Sequence, residues 1–240
     1  MIGGFIVTGT QPKKVIIRAI GPSLSLAGKL GNPILELRNS AGTILKQNDD
    51  WKNSSPADRQ AIVDSTIPPT NDLESAIVAT LSANNSAYTA IVRGLNNTTG
   101  IGVVEIYDLD PNVNSKLANI STRGLVQTGD TVLIAGTIVL GPSTQKVIIR
   151  AIGPSLTVPG KLLNPTMELR DENGTLVRAN DDWRVGGQEA EIIATTIPPT
   201  DNAESAIVET LQGNGAAYTA IVRGVNDTTG IAVVEVYALQ

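Results

Sequence analysis

The sequence predicts an all-β protein built as two tandem antiparallel β-sandwich, jelly-roll-like domains of about seven or eight strands each. Three observations predict it: a long internal repeat, short β-branched runs bounded by turn formers, and a composition that is apolar but nearly free of aromatic residues. Of the 240 residues, 41% are hydrophobic, 17% are charged and only 3% are aromatic. Cores must therefore be built from Val, Ile, Leu and Ala, side chains that suit a pleated and close-packed surface.

The repeat comes first, because self-similarity at a fixed spacing determines the domain count. The run Lys14-Val15-Ile16-Ile17-Arg18-Ala19-Ile20-Gly21-Pro22-Ser23-Leu24 returns unchanged from Lys146 to Leu156. Asn48-Asp49-Asp50-Trp51 returns at the same spacing as Asn180-Asp181-Asp182-Trp183. Thr66-Ile67-Pro68-Pro69-Thr70 then matches Thr196-Ile197-Pro198-Pro199-Thr200, two residues early, so a short deletion lies between the Trp and the Thr. Such a deletion marks a surface loop. The domains are predicted at 1–110 and 119–240, with a polar linker over 111–118 around Pro111-Asn112-Val113-Asn114.

Within each copy the strands follow from alternation and turn chemistry. Ile2 to Thr8 and Lys14 to Ile20 flank Gly9-Thr10-Gln11-Pro12, and Ile34 to Arg38 and Thr43 to Gln47 flank Asn39-Ser40-Ala41-Gly42. Ser75 to Leu81, Tyr88 to Arg93 and Ile101 to Tyr107 complete the first copy. One short helix is expected after Ser55, with Ser55 as cap, Pro56 in the first helical position and Asp58 in the first turn. The copies differ at their starts. Asn119 to Asp130 precedes the second copy, whereas Met1 aligns with Leu133, so the first copy is expected to lack an N-terminal strand. Either it comes from a longer array, or the missing strand arrives from another subunit.

Composition also removes function classes. A net charge of -5 argues against a nucleic-acid partner, which needs a basic surface. No apolar run approaches the ~20 residues of a spanning helix, so membrane insertion is not expected. With no Cys and no His, thiol chemistry, a Ser-His-Asp triad and an ordinary zinc site are excluded. Adjacent acids on a loop do not provide two carboxylates across a sugar-sized cleft, and no phosphate-binding glycine loop or nucleophile elbow is present. The chain is not expected to be an enzyme.

From Ile34 to Leu109, and again from Thr166 to Leu239, the pattern resembles the bacterial pre-peptidase C-terminal domain family. The residues that carry the resemblance are the hairpin with its Gly turn, Asn48-Asp49-Asp50, Glu74-Ser75-Ala76-Ile77, the strand from Ser86 to Val92, Gly100 and the closing strand to Tyr107. Departures are Ser86-Ala87 and Ala216-Ala217, where the family has Gly-Thr before its central Tyr. The resemblance implies a β-sandwich module appended to secreted proteins, some of which bind calcium or matrix polymers. The full repeat is also similar to tandem modules in very large surface proteins of environmental bacteria.

Two clusters are candidate sites. Asn48, Asp49, Asp50 and Glu74 recur as Asn180, Asp181, Asp182 and Glu204. Adjacent carboxylates repel, and hard oxygen donors suit Ca²⁺, so calcium is the candidate cofactor; the alternative is a turn capped by one of the acids. Trp51 and Trp183 follow the acidic pairs and either stack on a sugar ring or cover an end of the sandwich. Arg18, Arg93, Glu36 and Glu105, with Arg150, Arg223, Glu168 and Glu235, could form cross-strand ion pairs or an interface for neighbouring modules, but a solvated face is the stronger expectation, since exposed pairs contribute only about 0–1 kcal/mol. The expected function is a non-catalytic structural or adhesive tandem-repeat protein, secreted or at the cell surface, contacting neighbouring copies of the same module and in one version forming a filament or surface array. The alternative is a carbohydrate-binding accessory module of a secreted hydrolase, with polysaccharide as partner.

Overall fold

The computed structural model describes residues 1–239. By internal contacts the chain divides into two units, Met1–Ala118 and Asn119–Gln240. Both are all-β, as the repeat and the alternation predict.

The first unit contains β1 (Ile2–Gly9), β2 (Lys13–Ile20), β3 (Pro33–Asn39), β4 (Ile44–Asp49), helix α1 (Pro56–Asp64), β5 (Ser75–Leu81), β6 (Ser86–Gly94) and β7 (Val103–Asp108). Antiparallel pairing orders one sheet β4-β3-β6-β1 and the other β5-β2-β7. Each strand overlaps the run that alternation and turn residues marked in the sequence. Strand β8 (Ser115–Val126) begins in this unit: residues 115–118 of the stretch read as a linker are strand, and Leu117 packs against the unit's core.

The second unit takes the rest of β8 and adds β9 (Leu133–Val139), β10 (Gln145–Ile152), β11 (Pro165–Asp171), β12 (Leu176–Asn180), helix α2 (Glu189–Ala194), β13 (Ser205–Leu211), β14 (Ala216–Gly224) and β15 (Gly230–Ala238). Its sheets run β12-β11-β14-β9 and β13-β10-β15-β8, all antiparallel. Eight strands in two four-stranded sheets, with the first strand paired to the last, is jelly-roll topology. The first unit has the same order with the first strand's place beside β7 unfilled among the described residues.

Burial follows the predicted faces. In β1 every second residue is buried, and Phe5 and Val7 enter a core with Val15, Ile17, Leu35, Leu37, Ala90 and Val92. Strand β2 is buried on both faces, which explains its unbroken Val15-Ile16-Ile17 run. Its outward Ile16 meets Trp51 and Ile62 of α1 in a small second core, and Ile148 meets Trp183 and Ile192 in the same way.

Helix α1 starts as the sequence predicts: Ser55 Oγ accepts from Asp58 N at 3.2 Å, with Pro56 in the first turn. The two-residue deletion falls here, and α2 is shorter, with Gln188 at its N-cap making no side-chain capping bond. Gly94 and Gly224 recur for a steric reason, since a Cβ there would sit 2.1 and 2.0 Å from the carbonyl oxygens of Thr98 and Thr228.

Candidate functional site

The densest polar arrangement in each unit is built around one buried carboxylate. Glu74 has no exposed surface, yet its carboxylate is saturated by protein donors. Oε1 accepts from Gly21 N at 3.2 Å, Ser23 N at 2.9 Å and Ser23 Oγ at 2.5 Å, and Oε2 accepts from Asn71 N at 3.3 Å. A buried acid with no such donors would cost several kcal/mol, so the loop after β2 and the loop before β5 must close on it together. The main-chain carbonyl of Glu74 then accepts from Trp51 N at 2.8 Å, which fixes the turn after β4.

The neighbouring side chains complete a tie across four strand ends. Asn48 Oδ1 accepts from Ala76 N at 2.8 Å while its Nδ2 donates to Ser54 Oγ at 2.9 Å. Ser75 Oγ lies 2.6 Å from the Pro33 carbonyl and 3.0 Å from that of Asn48, so one hydroxyl links β3, β4 and β5. The second unit repeats the arrangement. Glu204 accepts from Gly153 N, Ser155 N and Ser155 Oγ at 3.2, 3.0 and 2.5 Å, and Asn180 Oδ1 accepts from Ala206 N at 2.9 Å.

Of the residues read as a calcium set, Asn48 and Asn180 through Oδ1 and Glu74 and Glu204 through their carboxylates accept from backbone amides, and the two Asp pairs lie outside this tie. Among the described residues no three acidic side chains converge as a metal-holding group. Asp50 sits at φ +59° and its carboxylate accepts from Asn32 Nδ2 and Asn53 Nδ2. Burial, and then the adjacent Asp50 carboxylate, push Asp49 above its ordinary value, and burial and Asp182 do the same to Asp181. The sugar-stacking reading of the tryptophans is corrected. Trp51 and Trp183 are 7% and 2% exposed, with Nε1 donating to the carbonyls of Asn71 and Asp201, so each covers the outer face of its sheet.

The strand arginines form cross-strand pairs where a solvated face was the stronger expectation. Arg18 lies opposite Glu105 in the β2–β7 register and donates through Nε at 2.9 Å and Nη2 at 2.5 Å, and its Nη1 donates to Ile67 O at 2.8 Å. Tyr107 stacks beneath the guanidinium, 5.2 Å from its carbon, and burial, then Glu105, raise the phenol. Arg150, Glu235, Ile197 and Tyr237 repeat this set. Glu36 is bonded by Arg38 and Arg93, and Glu168 by Arg170 and Arg223.

Sequence reasoning missed three partners. Gly21 and Ser23 recur inside Ile-Gly-Pro-Ser-Leu, always with Glu-Ser-Ala-Ile downstream, and that double recurrence is the signal that ties them to Glu74. Lys13 gave no such signal, because its counterpart is Gln145. It is fully buried, with Nζ 2.8 Å from Asp108 Oδ2 and 2.7 Å from Asp110 O. A groove of about 370 Å³ between β4, β5 and α1 carries only the exposed pair Lys46 and Asp58 as charged groups.

Two predictions follow from this geometry. Glu74→Ala leaves Gly21 N and Ser23 N buried without an acceptor and is expected to destabilise the first unit by about 2–4 kcal/mol, read by urea unfolding. Glu204→Ala should act alike in the second. The raised Asp49 has a pH signature of definite sign. Its folded value lies above its unfolded one, so the native state holds the proton more tightly, and stability falls as pH rises from the unfolded to the folded value. Asp49→Asn is therefore expected to raise Tm at pH 7 and to leave it unchanged at about pH 3, where both forms are neutral.

No family model and no curated protein matches the chain. Among solved structures it is similar, at the level of weak likeness, to PNGF-II in a P21 crystal form, with 8% identity, a TM-score of 0.28 and 98% of this chain covered. The chain spans 60% of that structure's length. A quasi-atomic structure of the PBCV-1 virus capsid gives 8% identity and a TM-score of 0.27, with 99% of this chain and 92% of that one covered. The infectious bursal disease virus VP2 subviral particle gives 10% identity and a TM-score of 0.24, covering 99% and 68%.

Proposed function

We propose that this chain is a non-catalytic structural or adhesive repeat protein, acting outside the cell or at its surface as a scaffold or spacer that contacts neighbouring modules of its own kind. The observation that carries this reading is the duplicated tie around Glu74 and Glu204. In both units the members of that tie, Glu74, Asn48 and Ser75 with Glu204, Asn180 and Ser205, are bonded to the fold's own backbone. A reaction centre needs polar groups held toward a substrate with one acid–base group tuned for transfer, and the recurrent groups here face inward.

Repetition suits a contact role, because each added copy extends reach or valency without new chemistry. The burial of Trp51 and Trp183 weighs against the accessory-module alternative, since neither ring is available to a sugar. The test exposes the purified chain to a panel of insoluble polysaccharides and, separately, to longer chains carrying the same repeat, reading retention and particle mass by light scattering. No retention on polysaccharide and a rise in particle mass with the repeat-bearing chains are expected. Retention on polysaccharide with no rise in mass would place the chain in the carbohydrate-binding class instead.

A further inference from the structure

In an edge strand every second residue turns its N–H and C=O away from the sheet, and each such pair needs a partner of its own. Strands β5 and β13 are both edges, hydrogen-bonded to β2 and to β10. In the second unit three outward amides of β13 are met by side chains. Ala206 N donates to Asn180 Oδ1 at 2.9 Å, Val208 N to Gln188 Oε1 at 3.3 Å and Thr210 N to Glu209 Oε1 at 3.2 Å. Gln188 closes a ring on one residue, because its Nε2 also donates to Val208 O at 2.7 Å. Its carboxamide stands where the main chain of a neighbouring strand would.

The first unit keeps the strand and changes the caps. Ala76 N still donates to Asn48 Oδ1 at 2.8 Å, but Ala79 stands in place of Glu209. Counting back from the matched core residues Ile62 and Ile192, Asp58 stands in place of Gln188. A carboxylate cannot donate to a carbonyl, and this one is held elsewhere. Its Oδ1 accepts from Lys46 Nζ at 2.6 Å and its Oδ2 from Ser55 Oγ at 2.8 Å. Among the described residues no side chain meets the outward N–H and C=O of Val78. Val78 is only 7% exposed, so bulk water does not reach the pair freely and leaving it unpaired is costly.

The outward side of β5 is the side of β4, as the bond from Ala76 N to Asn48 shows, and the Val78 pair faces the groove between β4, β5 and α1. That groove, of about 370 Å³, joins the apolar Leu37, Leu45, Ala61 and Leu81 to the Lys46–Asp58 ion pair, and its volume suits a small ligand. In the second unit the matching strands are tied across it, since Arg178 Nε donates to Glu209 Oε2 at 2.8 Å. With Ala79 opposite, Lys46 makes no such tie.

We propose that this groove in the first unit binds a primary carboxamide, the group carried by Gln and Asn side chains and by small free amides. The ligand donates its N–H to Val78 O and accepts from Val78 N, as Gln188 does on Val208, and its aliphatic stem lies against Leu45 and Ala61. The ligand class is read from Gln188, which shows what satisfies the same residue of the same strand in the other copy. The site goes beyond the contact-making reading and stands whether or not that reading holds.

The test titrates the full chain with butyramide, which reproduces a glutamine stem and amide, and follows backbone amide shifts by NMR. Saturable shifts at Val78 are expected, with half-saturation at about 10 mM or below, and none at Val208. Butyrate and N,N-dimethylbutyramide lack the donor and should bind about tenfold more weakly or not at all. Gln188→Ala removes the side chain that butyramide imitates, so that variant should gain a second set of saturable shifts at Val208. A capped pentapeptide with a central Gln, run beside its Glu counterpart, separates the two sources of the group. Binding tighter than that of butyramide, in the Gln form alone, assigns a polypeptide side chain, and binding no tighter assigns a free amide. No shift at Val78, shifts of equal size with butyrate, or binding to the variant at Val208 alone would each overturn the assignment.

Discussion

The structure of each unit depends on one buried carboxylate. Glu74 and Glu204 stand where the ends of several strands converge, and each gathers backbone amides from two loops that sequence separation would otherwise leave independent. A buried negative charge tolerates no vacancy among its donors, so the loop after β2 or β10 can close in only one way. Once that loop is fixed, Trp51 or Trp183 is drawn down by the same residue's carbonyl and covers the outer face of its sheet. The recurrence of Gly-Pro-Ser and of Glu-Ser-Ala is then the trace of a folding constraint.

Most of the fold was legible in the sequence because its signals are local. Strand runs, the Ser55 cap with Pro56 and Asp58, and the repeat spacing all depend on residues near one another, and each is found where it was read. The pairs of Arg18 with Glu105 and Arg150 with Glu235 were not legible: the sequence left these residues open to a solvated face, and only the β2–β7 and β10–β15 registers set them opposite one another. The site was less legible than the fold. Adjacent acids beside a Trp suggest a ligand when read as composition. The bonds of Asn48 and Glu74 run to backbone amides, which carry no sequence signature, and so this tie was not read from the sequence. The burial of Trp51 depends on α1 lying across β2, a tertiary contact that no local pattern announces. Lys13 escaped because its counterpart in the second unit is Gln145, which reaches the Leu239 carbonyl instead of a carboxylate.

Identical sequence in β7 and β15 at Val103-Val104-Glu105 and Val233-Val234-Glu235 is buried to different depths, and the neighbour strand is what differs. Burial of an edge is therefore a property of the pairing and not of the strand's own residues.

The central claim is that a saturated buried glutamate closes each unit. It is tested most directly by amide hydrogen exchange, measured by NMR, at the four donors Gly21, Ser23, Gly153 and Ser155. All four lie in loops, so without the bond they would exchange on the time scale of exposed turns. The account predicts protection at these amides comparable to that of the strand interiors of β2 and β10, in both units alike. Exchange at loop rates in either unit would contradict it.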